Sequence, residues 1–170
     1  MVQPATLAKA CERMLDPATM NRIHAATLIA TCLAACVALA AGSRQGSPSA
    51  SAADRPIYRA PSGKMDAQVL LDEAVTGRKD AAVTLLTSYP GATVPEHVHA
   101  GVTEVLYILE GHGRMTLAGV ELEVAPGMAI SIPPDTKHSF RHVGKGIMRA
   151  VQVYVGAGPE QRFKKWTALE

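Results

Sequence analysis

His97 and His99 stand two residues apart in the stretch GATVPEHVHAGVTEVLYILEG, residues 91 to 111, and Glu104 follows five residues after His99. A second stretch, GMAISIPPDTKHSFRH, begins at Gly127 and supplies His138. Side chains on a β-strand alternate between faces, so histidines at i and i+2 point the same way and both imidazoles reach one ion. A carboxylate from the next strand and a fourth ligand from a distant one complete a mixed nitrogen–oxygen site. A lone strand histidine is more often a surface residue or a satisfied core residue. Four such groups buried together are harder to explain without an ion, because an unpaired buried carboxylate is costly. Three imidazoles and one carboxylate leave two positions open in an octahedral site, as Lewis-acid polarisation or activation of a bound water requires. Fe, Mn, Ni, Zn and Cu all accept this set, so the sequence points to one divalent transition metal without selecting it.

These residues must be positioned by strands. From about residue 67 the chain reads as short apolar, β-branched runs broken by turns. Runs at 67–71, 81–87, 103–109, 114–117, 120–124, 128–132, 137–142 and 147–155 predict strands, with turns at Tyr89-Pro90-Gly91, Gly111, Ala118-Gly119 and Pro126-Gly127. Strands at this spacing without intervening helices predict a barrel or sandwich. Alternation puts Leu106 and Ile108 on the inward face with Glu104, and Phe140 and His142 on the face of His138. After the last run, Phe163 and Trp166 are three apart and suit a single helical turn docked on the barrel.

The two stretches resemble the paired motifs of the cupin superfamily. Gly91, His97, His99, Glu104 and Gly111 fill every fixed position of the first motif. Gly127, Pro133 and His138 match the second, with Asp135 in place of its glycine and His142 in place of its asparagine. Aspartate tolerates a left-handed turn better than most non-glycine residues, so the first departure is mild. The resemblance covers roughly residues 65 to 157. It implies an all-β fold, the cupin-type double-stranded β-helix or jelly-roll barrel of six to eight strands, with a short helical or irregular C-terminal segment. It also implies metal ligation by His97, His99, Glu104 and His138, and pairing into a homodimer through an outer sheet face. His142 is expected to point toward the barrel mouth. Because histidine titrates near neutral pH, that makes it the candidate catalytic residue.

The remaining features narrow the function classes. Of 17 basic and 15 acidic residues, four basic (Lys9, Arg13, Arg22, Arg44) and two acidic (Glu12, Asp16) precede residue 53, leaving 13 of each. A balanced domain gives no argument for nucleic acid as a partner. No phosphate-binding glycine motif follows a strand, so no nucleotide cofactor is indicated. Cys11, Cys32 and Cys36 are the only cysteines, which leaves the folded domain without a disulfide framework or a thiol nucleophile.

Residues 1–41 read as a leader. From Met20, Arg22 and His24 precede an apolar run from Ala25 to Ala41, the pattern of an export signal. Ala38-Leu39-Ala40 and Ala50-Ser51-Ala52 offer cleavage sites, whereas Leu33-Ala34-Ala35-Cys36 resembles a lipobox that would leave a lipid anchor on Cys36. A Gly-, Ser-, Ala- and Pro-rich linker at 42–57 then leads into a domain at 58–170 whose motif core is 91–142. Two functions follow as expectations. One is a metal-dependent enzyme of dioxygenase or isomerase type that acts on a small molecule outside the cytoplasm, in the periplasm or secreted. The other is a non-enzymatic module that holds a small ligand or the metal.

Overall fold

The structure, a computed structural model, describes residue 46 and residues 49–169. The leader, with its apolar run and Cys36, lies outside the described residues. Among the described residues, eleven strands form two antiparallel sheets. They are β1 Ile57–Arg59, β2 Met65–Leu71, β3 Ala81–Ser88, β4 Thr93–His97, β5 Thr103–Glu110, β6 His112–Leu117, β7 Val120–Val124, β8 Ala129–Ile132, β9 His138–Val143, β10 Met148–Val155 and β11 Thr167–Leu169. The larger sheet runs β11-β1-β2-β3-β10-β5-β8 and the smaller runs β4-β9-β6-β7. A helix of one turn, α1 Glu73–Thr76, follows β2, and a 3-10 helix, Pro159–Lys165, precedes β11.

Alternation builds the interior. β10 turns Met148, Ala150, Gln152 and Tyr154 inward, and β5 turns Glu104, Leu106 and Ile108 inward. These meet Met115, Val124, Ile130 and Ile132 in the main apolar cluster. A second cluster joins Ala67, Val69, Ala82 and Tyr154 to Phe163, against whose ring Trp166 packs edge-on at 5.0 Å between centroids. Phe163 and Trp166 thus dock the C-terminal segment on the barrel through a 3-10 turn, and the chain then adds β11 to the edge of the larger sheet beside β1.

Two turns are dictated by backbone conformation. Gly111, between β5 and β6, has φ 79°, and a Cβ there would collide with the Ile147 carbonyl and Met148 Cα. Asp135 holds the left-handed conformation at φ 59° in the position of the missing motif glycine. Its backbone N–H donates to the His99 carbonyl at 3.0 Å, tying the two motifs together. The end of the 42–57 linker is tied down as well, since Gln68 Nε2 donates to the carbonyls of Ala52 and Arg55.

Candidate metal centre

His97 is the last residue of β4, and His99 lies just beyond the strand rather than on it. Glu104 is the second residue of β5, and His138 is the first of β9, opposite His97 in the register. The smaller sheet therefore supplies two imidazoles, the larger supplies the carboxylate, and the loop between β4 and β5 supplies His99. One ligand atom from each of the four lies within 4.8 Å of the others. Ring centroids of His97 and His138 are 4.1 Å apart, and those of His97 and His99 are 4.9 Å apart.

The chemistry of these atoms suits a divalent cation. His97 Nδ1 donates to the Pro95 carbonyl at 2.9 Å, and His138 Nδ1 donates to the Thr136 carbonyl at 2.9 Å. A carbonyl only accepts, so the proton of each neutral ring sits on Nδ1 and the Nε2 lone pair faces the cluster. Glu104 Oε2 lies 2.9 Å from His99 Nε2 and 3.3 Å from His138 Nε2. These contacts are short but not aligned as hydrogen bonds. His97 Nε2, His138 Nε2 and Glu104 Oε2 are buried with no hydrogen-bond partner among the described residues. Several buried lone pairs converging without donors are what a cation would satisfy.

Electrostatics favour the ligating states of the carboxylate and of His97. Burial pushes the Glu104 carboxyl up, but His138, His99 and Gln152 together outweigh it and hold the group well below the usual range. Burial pushes the His97 imidazolium down, with the Pro95 carbonyl opposing. For His138 burial is also the largest influence, but Glu104 and the Thr136 carbonyl outweigh it and raise the ring.

Sequence reasoning missed three neighbours. Gln152 Nε2 donates to Glu104 Oε1 at 2.6 Å and so fixes the carboxylate. Alternation on β10 carried the signal, because a glutamine stands in a row of inward-facing apolar residues. Tyr154 is fully buried, with its hydroxyl 3.4 Å from His99 Nε2 and 3.4 Å from Arg162 Nη2. Arg162, from the C-terminal 3-10 helix, carried no sequence signal.

His142 lies on β9, four residues beyond His138. The side chain faces inward, as alternation requires, yet it is only 8% exposed and does not border the cavity beside the cluster. The backbone N–H of His142 donates to the carbonyl of Ala92, itself buried, which carries the β4–β9 pairing one residue further. Both ring nitrogens lack partners among the described residues.

His97, Glu104 and His138 border a cavity of about 320 Å³ whose remaining wall is mostly apolar. Two antiparallel sheets closing on a His-His-Glu-His cluster decide the architecture. The fold is that of a cupin. Residues 84–154 match the family described as "Cupin domain". The cupin segment is 30% identical over 86 residues to a Streptomyces cyaneus protein named polyketide synthase CurC, over 51% of this chain and 56% of that protein. It is 37% identical over 51 residues to the quercetin 2,3-dioxygenase of Bacillus subtilis, over 30% of this chain and 15% of that enzyme. A Thermotoga maritima structure titled a predicted oxalate decarboxylase superposes with a TM-score of 0.58 at 20% identity, covering 64% of this chain and 98% of that one. The chain spans about half or less of the length of these two curated relatives.

Proposed function

We propose that this chain is a metal-dependent cupin that converts a small molecule in the cavity beside His97, His99, Glu104 and His138. The observation that carries the reading is the convergence of unpartnered, buried lone pairs from His97, His138 and Glu104 on one point at the cavity wall. A divalent ion held there would supply Lewis-acid polarisation or a lowered proton affinity for a bound water. The chain's own residues hold the Nδ1 protons on the Pro95 and Thr136 carbonyls, orient Glu104 through Gln152, and exclude water with the apolar wall. Dioxygen insertion and isomerisation are the reaction types that fit, and the likeness to a quercetin 2,3-dioxygenase over 51 residues favours the first.

The test is metal analysis of natively purified protein beside a His97→Ala/His99→Ala double variant. One divalent ion per chain in the wild type and none in the variant is the expected result. Equal metal content in both sinks the assignment. A second reading, a non-enzymatic module that holds a small ligand or the metal, is favoured by the wall itself, which outside the cluster offers few groups able to move a proton.

Export and dimerisation belong to the same reading. The run from Ala25 to Ala41 supports export, with a mature start after Ala40 or Ala52 or at a lipidated Cys36. An intact mass that retains residues 20 to 36 on soluble protein would rule it out. Tyr107 and Leu109, on the outer face of β5, are 48% and 43% exposed and support a homodimer. A monomeric mass by light scattering at micromolar concentration counts against it.

A further inference from the structure

The cavity beside the cluster also bears on the substrate. We propose that it takes a small apolar acid, whose planar anionic group sits on Arg162 while its apolar body fills the barrel. This inference rests on the cavity being the working site of the proposed function.

Arg162 borders the cavity from the C-terminal 3-10 helix. Its Nε is buried without a hydrogen-bond partner, and it forms no ion pair among the described residues. Its one polar side-chain contact is the long 3.4 Å approach of Nη2 to the Tyr154 hydroxyl. That hydroxyl in turn lies 3.4 Å from His99 Nε2, so the cation stands one side chain away from the cluster. The guanidinium rests over the Phe163 ring at 4.9 Å, which fixes its plane. Five other arginines have a carboxylate partner among the described residues: Arg59 pairs with Asp66, Arg78 with Asp80, Arg114 and Arg141 with Glu121, and Arg149 with Glu110.

A guanidinium stays charged at any working pH, and its fork matches a carboxylate. A partly desolvated cation without a counter-ion is costly, and an incoming anion relieves that cost. Outside the Glu104 carboxylate and its histidines, the wall, including Leu106, Ile108, Met115, Phe140 and Trp166, carries no charge besides Arg162 and suits an aromatic or branched aliphatic body. The volume of about 320 Å³ stands at the small end of the roughly 300–1,000 Å³ range of ligand pockets.

Trp166 lines the cavity and is the chain's one tryptophan, so its fluorescence reads occupancy directly. The probes are 3-phenylpropanoate and its neutral isostere 3-phenylpropanamide, titrated into the full chain as purified and again after chelator treatment. The acid should bind about tenfold or more tighter than the amide in both forms, as a charge-assisted hydrogen bond implies. Arg162→Gln should bring the two within about twofold, and Arg162→Lys should keep part of the preference. Equal affinity for acid and amide, a preference unchanged in Arg162→Gln, or no binding of either probe at about 10 mM each overturns the proposal. Should Arg162→Gln fail to fold, an undiminished preference in Arg162→Lys overturns it instead. The two readings fail separately. A chain that holds no metal yet prefers the acid through Arg162 loses only the metal assignment, and one that holds metal but shows no Arg162-dependent preference loses only this one.

Discussion

Asp72 fastens the wall that carries Arg162. Its side chain is fully buried and accepts from the Val75 N–H, from Gln161 Nε2 at 3.0 Å and from Lys164 Nζ. It therefore caps α1 and pins the C-terminal 3-10 helix at once. Removing the cap costs about 1 kcal/mol. Removing a charged hydrogen bond costs about 1.5–3 kcal/mol. Two features limit the total. Gln161 Nε2 keeps a second acceptor in Glu160 Oε1 at 2.8 Å, and the Lys164 side chain, 27% exposed, can turn to water. Asp72→Ala should therefore cost about 2–4 kcal/mol, a fall of roughly 8–15 °C in Tm for a domain of this size. Asp72→Asn keeps an acceptor and should lose about half as much. The pH dependence has a definite sign. Burial pushes the Asp72 carboxyl up, but Lys164, Gln161 and the Val75 N–H outweigh it and hold the group below its usual value. Its contribution is therefore complete above the unfolded value of about 3.9 and is lost as pH falls below it. Thermal unfolding followed by circular dichroism between pH 7 and pH 3 tests this. A fall under about 3 °C for Asp72→Ala would refute the reasoning, as would a gap between wild type and Asp72→Asn that fails to narrow from pH 5 to pH 3.

Gln152→Leu removes the donor that fixes Glu104 Oε1 and should weaken metal affinity by about 10–100-fold in chelator competition. An affinity within twofold of wild type would show that Gln152 does not orient the carboxylate. His142→Leu replaces two buried, unpartnered ring nitrogens with an apolar group, so the denaturant midpoint should hold or rise and metal content should not change. A loss of more than about 1 kcal/mol would mean that those nitrogens do bond in solution. Gly113→Ala drives a Cβ into the Phe140 ring and should cost about 1–3 kcal/mol in urea unfolding, and an unmoved midpoint would mean that the ring is free to shift.

Strands with clean alternation were legible in the sequence. β5, β7 and β10 fall within a residue or two of the runs read there, and the inward row of β5 is the expected one. β4 was hidden by Pro95 and Glu96, which break a strand pattern. The structure tolerates them because β4 lies at the edge of its sheet and its register shifts between Val94 and His97. β4 ends at His97, so His99 lies beyond the strand although the i, i+2 argument puts it there. β1 and β11 are three residues each, too short for periodicity to register, and they pair across more than a hundred residues of chain. The direction of His142 was legible from alternation, but its burial was not, because the Ala92 carbonyl that receives its N–H stands just before β4, the strand the pattern hid.

The chain divides the work of the cavity between segments with different constraints. All four members of the cluster, with Gln152 and Tyr154, lie inside residues 84–154, the stretch that matches the cupin family. Arg162, Phe163 and Trp166 lie outside it, on a 3-10 helix held by Asp72 from the end of β2 and by the pairing of β11 with β1. Three of the four, His97, Glu104 and His138, are fixed by strand register, so moving one of them means shifting a whole strand and turning its inward row outward. The C-terminal wall answers to fewer partners. A substitution at Arg162 or Trp166 changes the charge and shape met by a ligand, yet leaves the His97–His138 register and the Gln152–Glu104 hydrogen bond in place. Motif spacing can therefore expose the cluster while saying nothing of the ligand. The groups that choose the ligand are set by packing against a terminal segment, and packing leaves no period in the sequence.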